Sequence, residues 1–303
     1  MKIKRREFLG ASAWGLGALV LGGQLPAIGK PPSPAFDPYE MIPLGRTGLK
    51  VSRVCIGTGA HGSQRSSNQT RLGRDKFQAL LAGAYERGIR MFDLADLYGT
   101  HPYLMPALKG VPRKDFVIST KIWSHPGGLP EPERPDSDVV VARFLKEINT
   151  DYLDLVLLHC VTSPDWPQEL RKQMDILSGL KQKGTIRALG VSCHSIEALE
   201  AAANEPWVDS VHARINHTGA SMDGAPEQVA PVLKKIHAAG KGVVGMKLIG
   251  EGRYRNSDEL RNAAVAYALR LGCVDVLNVG FESTDQIDDF AARVRNTPKT
   301  AAG

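Results

Sequence analysis

Four polar residues stand at positions from which a protein could move a proton. Asp93 and Tyr98 lie in FDLADLYG, Lys121 lies in VISTKIW, and His159 lies in YLDLVLLHC. Each stands at or just after the end of an apolar run of the kind that forms a buried strand. Their side chains supply a carboxylate, a phenol, an ammonium and an imidazole, which are groups used in general acid and base chemistry. The pattern therefore predicts a proton-relay site.

Each residue also has an ordinary structural explanation. Tyr98 could be a loop aromatic, Lys121 a solvated strand end, Asp93 a helix or turn cap, and His159 a hydrogen-bonded core histidine. Taken singly, these explanations are the better ones. The joint occurrence of the four residues on three consecutive strand ends favours the site.

The elements that must position these residues follow a repeating order. Eight apolar runs alternate with helix-like stretches such as KFQALLAGAYERG and DELRNAAVAYALRLG. The runs span residues 54-57, 90-93, 116-120, 153-159, 186-192, 209-215, 242-247 and 274-280. Continuous apolar strands separated by helices predict a parallel sheet that is buried on both faces. We therefore expect an α/β fold, a (β/α)8 TIM barrel over residues 41-303, whose carboxyl strand ends form one rim.

Glycines follow several of the helix-like stretches, at Gly88, Gly184, Gly240 and Gly272. Such residues are typical of left-handed helix caps.

The set of four resembles the catalytic tetrad of the aldo-keto reductases. The likeness extends to LGRTGLKVSRVCIGTG around residue 50, to the five-residue step from Asp93 to Tyr98, and to GVSCH after the fifth strand. It covers roughly residues 41 to 290. The resemblance implies an oxidoreductase that reduces aldehyde or ketone carbonyls with hydride from a nicotinamide cofactor.

The resemblance also implies a role for each member of the tetrad. Tyr98 would protonate the substrate oxygen as negative charge develops on it. The ammonium of Lys121 would lower the pKa of that phenol, and Asp93 would keep Lys121 charged and aimed. His159 would donate a hydrogen bond to the same carbonyl and orient it.

The resemblance further implies a set of cofactor contacts. They fall at Thr58, Ser192, Cys193, His212, Met246, Lys247, Leu248, Gly250 and Gln286. Ser192 matches the family, whereas Cys193 stands where the family has Asn and is a weaker hydrogen-bonding group. His212 takes the place of a Gln, and Met246 that of the aromatic that stacks on the nicotinamide, where a thioether can still pack on the ring.

The segment GFESTDQIDDF corresponds to the part of the family that grips the 2'-phosphate of NADP. Gly280, Gln286 and Phe290 stand where charged or amide side chains are usual, and Glu282 adds a negative charge. A dianionic phosphate binds best to Arg, Lys or helix-terminal amides. The cofactor is therefore NADP or NAD, and we expect loosened selectivity for NADPH.

The first thirty residues form a different kind of segment. MKIKRREFLGASAWGLGALVLGGQLPA combines Arg5-Arg6, the following Phe8-Leu9, a short weakly apolar stretch and small residues near Ala27. This combination is typical of a twin-arginine export signal. We expect residues 1-30 to be the signal, residues 31-40 to be a linker, the twin-arginine translocase to be a partner, and the location to be periplasmic.

The positive charge belongs mainly to this leader. Residues 1-30 contain five basic residues and one acidic residue, so they account for +4 of the formal net charge of +6. Nucleic-acid binding thus loses its main support. The predicted periplasmic location does not fit a nicotinamide-dependent reductase well, because that compartment has no obvious pool of NADPH. A cofactor that is bound before export would fit the twin-arginine route.

The four cysteines give no disulfide framework. Cys55, Cys160, Cys193 and Cys273 lie in or beside predicted strands, without a CxxC pair. His159-Cys160 and Cys193-His194 end neighbouring strands, but their spacing matches no known metal-ligand motif. We therefore expect buried thiols and no metal.

Two functions from different classes remain open. The first is an exported carbonyl reductase, which the tetrad supports. The second is a binding or sensing module on the same fold, which the altered nicotinamide pocket supports. Substrate identity and oligomeric state are not indicated by the sequence.

Overall fold

Eight parallel strands close into a barrel in the computed structural model, which describes residues 35–299. The predicted signal, residues 1-30, lies outside the described residues. Around the barrel the strands follow the order β10-β3-β4-β5-β6-β7-β8-β9. The barrel strands are β3 (Val54–Gly57), β4 (Met91–Asp93), β5 (Val117–Ile122), β6 (Leu153–Val161), β7 (Ile186–Cys193), β8 (Ser210–Arg214), β9 (Gly242–Met246) and β10 (Val276–Val279). The prediction of a (β/α)8 barrel is confirmed.

The helices lie between successive strands and form the outer layer. They are α1 (Asn68–Arg71), α2 (Arg74–Glu86), α3 (His101–Ala107), α4 (Ser137–Ile148), α5 (Trp166–Glu169), α6 (Arg171–Gln182), α7 (Ile196–Asn204), α8 (Pro226–Ala238), α9 (Asp258–Arg270) and α10 (Thr284–Arg295). Serine side chains cap the first turns of α7, α9 and α10, at Ser195, Ser257 and Ser283. No helix among the described residues is long and apolar enough to cross a membrane.

The predicted glycine caps adopt left-handed backbone. Gly88, Gly184, Gly240 and Gly272 have φ angles of 109°, 78°, 76° and 67°. A residue with a Cβ is strained at such angles, so these glycines let the chain leave each helix and turn back toward the barrel.

Two apolar layers hold the barrel in shape. The outer layer lies between strands and helices, and α4 shows how the sequence builds it: Val140, Val141, Phe144 and Ile148 recur at helical spacing and are all buried. Burial of one such side chain stabilises the fold by roughly 1.5–3 kcal/mol. The inner layer fills the barrel with side chains that include Cys55, Leu155 and Val244.

A hairpin that the strand pattern did not predict joins the inner layer. Strands β1 (Met41–Pro43) and β2 (Lys50–Ser52) pair antiparallel. Their neighbours Leu44 and Leu49 pack with the barrel interior. At three residues each, these strands are too short to show an alternating pattern.

The preceding residues also contact the barrel. The Pro38 carbonyl accepts a hydrogen bond from Val54 N, and Glu40 O accepts one from Arg53 N. Ala35 forms a bridge with Pro298. Residues 35–40, the described part of the predicted linker, are therefore hydrogen-bonded to the barrel.

Candidate active site

Three of the four predicted catalytic residues lie on adjacent strands, at their carboxyl ends. Asp93 ends β4, Lys121 lies on β5 and His159 on β6. Tyr98 ends a single 3-10 turn, Asp96–Tyr98, just after β4. Because parallel strands of a barrel share one carboxyl end, all four meet at the same mouth.

Asp93 and Lys121 form a buried ion pair. Lys121 Nζ donates to Asp93 Oδ2 at 2.7 Å and to the Leu94 carbonyl at 2.9 Å. Their side chains are 4% and 2% exposed. Water therefore screens the pair little, and each charge depends on the other for compensation.

Asp93 receives further donors from around the barrel. Ser119 Oγ donates to Oδ1 at 2.9 Å, Asn278 Nδ2 donates to Oδ2 at 2.7 Å, and His212 Nε2 lies 3.3 Å from Oδ1. Burial alone would raise the pKa of Asp93, but Lys121 and His212 outweigh it and hold that pKa well below its usual range. The carboxylate is ionised and fixed in place.

Two of these donors, Ser119 and Asn278, are not among the predicted site residues. Ser119 lies two residues before Lys121, so it faces the same side of β5. Asn278 lies inside an apolar run, where a polar residue has to find a partner. The spacing of Ser119 from Lys121 and the polar Asn278 within an apolar run are both visible in the sequence. Only the closure of β10 on β3, however, brings Asn278 to Asp93.

Tyr98 and His159 are in direct contact. Tyr98 Oη lies 3.2 Å from His159 Nε2, and the two rings are nearly perpendicular. Burial, followed by the charge of Lys121, lowers the pKa of His159 well below its usual value. The imidazole is therefore neutral. One phenol and one neutral imidazole can thus reach the same acceptor oxygen.

The pKa of Tyr98 differs from the sequence-based expectation. Burial, followed by the charge of Asp93, raises it well above its usual value. Lys121 Nζ lies 5.1 Å from the centre of the Tyr98 ring while donating to Asp93 and Leu94. Since the ammonium is directed to those two acceptors, it does not lower the pKa of the phenol, which stays protonated.

The turn that carries Tyr98 is fixed by charge and by shape. Arg143 binds both carboxylate oxygens of Asp96, at 3.0 and 2.6 Å. A Cβ on Gly59 or Gly62 would come within 2.4 Å of the Tyr98 ring. The ring therefore lies directly against backbone of the loop after β3, and those two glycines leave room for it.

Four of the predicted cofactor residues lie on one side of the mouth. Strand register sets Ser192 beside His212 and Arg214 beside Met246, and Lys247 follows Met246. Ser192 Oγ accepts a hydrogen bond from Cys160 N at 2.9 Å, which leaves its own O–H free to donate. His212 is fully buried and faces Asp93.

The other predicted cofactor residues have different surroundings. Cys193 packs between the barrel and the helices, with Sγ 3.7 Å from the Ala198 carbonyl. Thr58 Oγ1 donates to the Asp93 carbonyl at 2.8 Å. Leu248 and Gly250 are buried, and Gln286 is exposed in the first turn of α10, where it accepts a bond from Glu282 N. The structure therefore does not bring Cys193 or Gln286 to the tetrad, and Thr58 contacts the backbone of Asp93.

Two tryptophans, Trp123 and Trp166, follow the strands that carry Lys121 and His159. Trp166 is buried, and its Nε1 donates to Ala198 O. The Trp123 ring packs edge-on against His159, with ring centres 5.4 Å apart. Trp166 is thus a packing anchor, whereas Trp123 lines the mouth.

The paired cysteines and histidines of the sequence separate in the structure. Cys160 Sγ contacts His194, but Cys193 faces the outer layer. Among residues 35–299 no group of three or more histidine, cysteine or acidic side chains is arranged to hold a metal ion. The four cysteines are free thiols.

Comparison with known proteins agrees with this geometry. The model of the family described as "Aldo/keto reductase family" matches residues 53–266. The chain belongs to the aldo-keto reductase family. Its members use NADH or NADPH. The free Ser192 hydroxyl and the Met246 thioether suit the amide and the ring of such a cofactor. Lys247 is ion-paired with Glu251, and its ammonium would bind the cofactor phosphates in exchange for that carboxylate.

Individual relatives match about half of the chain. An NADH-specific methylglyoxal reductase of Escherichia coli is 29% identical over 50% of this chain and 52% of its own length. An L-galactose dehydrogenase of Arabidopsis thaliana is 30% identical over 50% of the chain and 48% of its length. The chain thus matches about half the length of these curated relatives.

Solved structures extend the likeness along the chain. A Pseudomonas aeruginosa protein described as an aldo-keto reductase superposes with a TM-score of 0.70 at 26% identity and covers 87% of this chain and 98% of its own. An aldo-keto reductase of Bacillus halodurans, at 24% identity, has a TM-score of 0.68, covers 86% of this chain and 93% of its own, and shows the same fold.

Proposed function

We propose that this aldo-keto reductase is an exported, NAD(P)H-dependent carbonyl reductase in which Tyr98 is the general acid. The observation that carries the proposal is the 3.2 Å contact between Tyr98 Oη and His159 Nε2, beside the buried pair of Lys121 and Asp93. A carbonyl oxygen placed between the phenol and the imidazole would receive two hydrogen bonds.

A nicotinamide held at Ser192, Met246 and Lys247 would supply the hydride for the carbonyl carbon. Tyr98 Oη would give its proton to the substrate oxygen as negative charge develops on that oxygen. Lys121 Nζ lies 5.1 Å from the centre of the Tyr98 ring but donates to Asp93 and Leu94, and the raised pKa of Tyr98 keeps the proton on the phenol until the substrate oxygen takes it. Neutral His159 holds the oxygen during this transfer, and Asp93 keeps Lys121 in position.

Replacement of one oxygen atom tests this assignment. Tyr98→Phe removes the acid, so we expect kcat to fall by roughly 10²- to 10⁴-fold. Cofactor affinity, followed by nicotinamide fluorescence, should stay nearly the same. Tyr103→Phe is a matched control, because Tyr103 lies in α3 and its ring packs on Phe77 of α2. Turnover by Tyr98→Phe at the wild-type rate would refute the acid role.

The alternative, a binding or sensing module, has one observation in its favour. The predicted contact residue Cys193 faces the outer layer, so part of the nicotinamide clamp is missing at that position. Titration of the full chain with NADH and NADPH separates the two functions. Micromolar binding of either supports a reductase, whereas a folded protein that binds neither would make the module the better assignment.

Export is proposed from the leader sequence, in which Phe8-Leu9 follow Arg5-Arg6. The twin-arginine translocase reads the paired arginines, so Arg5→Lys with Arg6→Lys should keep the protein inside the cell. Lys2→Arg and Lys4→Arg form a matched control that keeps the charge. Equal export of both variants would exclude this route.

A further inference from the structure

A chain of polar contacts outside the tetrad ends beside His159. It consists of Asp223, Arg214, His194 and Cys160, here called the rim cluster. Arg214 Nη1 lies 3.1 Å from Asp223 Oδ1. Arg214 Nη2 contacts His194 Nδ1, and Cys160 Sγ lies 3.3 Å from His194 Nε2. The cluster joins the loop after β8 to the ends of β8, β7 and β6.

The contact with Arg214 decides where His194 carries its proton. A guanidinium only donates, so His194 Nδ1 has to accept. The imidazole proton therefore resides on Nε2. Burial and the charge of Arg214 also lower the pKa of His194 to about 3, so the ring is neutral at physiological pH. The rim cluster thus presents one fixed N–H donor.

A weak partner contacts this donor. Cys160 Sγ lies 3.3 Å from His194 Nε2 and 3.5 Å from Nδ1. Because the sulfur is almost equidistant from both nitrogens, it lies against the ring and not along the Nε2–H bond. Thiol sulfur is also a poor acceptor. An oxygen atom of a ligand is a better partner for this N–H.

The donor lies close to the tetrad. A β-bulge interrupts the register of β6 after Leu158, and Cys160 has a φ of 58°. Bulges next to active sites redirect side chains, and this one places Cys160 against His194. The rings of His194 and His159 are 6.5 Å apart, and His194 is partly exposed.

We propose that His194 binds a second oxygen of the substrate, on the carbon next to the reacting carbonyl. This inference rests on the proposed carbonyl reduction. Two oxygens on adjacent carbons are about 3 Å apart, and each can lie about 3 Å from a donor. His159 and His194 are spaced to hold such a pair.

The charge of the cluster favours a neutral second oxygen. Asp223 is paired with Arg214, so the guanidinium carries little uncompensated positive charge toward the mouth. A neutral N–H suits a carbonyl or hydroxyl oxygen better than it suits a carboxylate, which forms its strongest bonds with charged donors. The substrate class is therefore 2-oxoaldehydes and 2-hydroxycarbonyl compounds.

Two aldehydes of equal carbon number test the inference. Methylglyoxal has the second oxygen and propanal lacks it. We expect the full chain, with saturating NADH, to show a higher kcat/KM for methylglyoxal. His194→Phe keeps a flat ring without the donor, so it should lower the ratio of the two kcat/KM values about tenfold, the worth of one neutral hydrogen bond. His194→Gln, which retains an N–H donor, should restore part of the ratio.

Controls separate this role from others. His237→Phe makes the same change on α8, where His237 Nε2 lies 3.3 Å from Asp275, and should leave the ratio unchanged. NADH affinity is measured in parallel by tryptophan quenching. A rise in the Kd for NADH in His194→Phe would assign His194 to the cofactor and overturn the inference, as would an unchanged ratio.

The same assays distinguish failure of the proposed reductase function from failure of the proposed role of His194. A wild type that reduces neither aldehyde would refute the reductase, whereas turnover of both with an unaltered ratio in His194→Phe would refute only the role of His194. Binding of hydroxypropanone and propanone, followed through tryptophan fluorescence, to which Trp123 at the mouth contributes, makes the comparison without turnover. Tighter binding of hydroxypropanone that is lost in His194→Phe supports the inference, and equal binding overturns it.

Discussion

The buried pair of Asp93 and Lys121 gives an asymmetric prediction for stability. Asp93→Asn keeps the shape of the side chain but leaves the Lys121 ammonium without a counter-charge. Lys121→Met leaves Asp93 with hydrogen bonds from Ser119 and Asn278. We therefore expect Asp93→Asn to destabilise the fold more than Lys121→Met does.

The structure sets the size of each effect. Removal of one partner of a buried ion pair costs about 3–5 kcal/mol, because the other charge is stranded. Lys121 Nζ, whose side chain is 2% exposed, would keep the Leu94 carbonyl and at most one neutral amide oxygen as acceptors, and would have no negative charge beside it. For Lys121→Met the two remaining donors to Asp93 offset part of the loss, so about 1–3 kcal/mol is expected.

Urea unfolding of the full chain, followed by tryptophan fluorescence, measures these differences. The double variant Asp93→Asn with Lys121→Met strands no charge, so it should be more stable than Asp93→Asn alone. The m value should stay constant, which shows that stability and not compactness has changed.

The pH dependence gives an independent check. The pKa of Asp93 is lowered in the folded state, so its contribution to stability is complete above the unfolded pKa of about 4 and is lost as pH falls further. The stability gap between wild type and Asp93→Asn should therefore narrow below about pH 4. Equal costs for the two single variants, or a double variant as unstable as their sum, would refute the reasoning.

Three further outcomes are expected. Burial raises the pKa of Asp223 to about 6, so the folded state holds the proton of this carboxyl more tightly than the unfolded state does. The free energy of unfolding of the wild type, measured relative to Asp223→Asn, should therefore fall by about 2–3 kcal/mol between pH 4 and pH 7. Urea unfolding that gives the same difference between the two proteins at both pH values would contradict this. Gly59→Ala places a Cβ 2.2 Å from the Tyr98 ring and should lower kcat at least tenfold. The control Gly179→Ala lies in open space on α6 and should stabilise the fold by about 0.5–1 kcal/mol without changing kcat. Equal kcat values for the two variants would show that the space at Gly59 does not position Tyr98. Because Gln286 offers no positive charge, NADPH should bind no better than NADH by fluorescence titration, and a strong preference for NADPH would overturn this expectation.

Local pattern was enough to predict the barrel. Apolar strand runs, helix-like stretches and glycine caps are properties of short segments, and their alternation admits few folds. The same reasoning placed the tetrad, because a residue at the end of a parallel strand must lie at the shared mouth. The short hairpin Met41–Ser52 lacked such a pattern and was not predicted.

Contacts between distant strands were not predictable in this way. Asn278 and Asp93 are hydrogen-bonded only because β10 closes on β3. The direction of Cys193 depends on the alternation of β7 as it leaves the barrel, which a family likeness in GVSCH does not state. His212 likewise faces Asp93 only because β8 and β4 both direct these side chains into the closed barrel.

The sequence by itself determined the order of strands and helices and the residue types at the mouth, since hydrophobic period and strand length are local. Only the tertiary structure decided which donors surround Asp93, that the pKa of Tyr98 is raised, and that Arg214 contacts His194 Nδ1. These properties depend on burial and on the distances between charges, and both exist only after the barrel has closed.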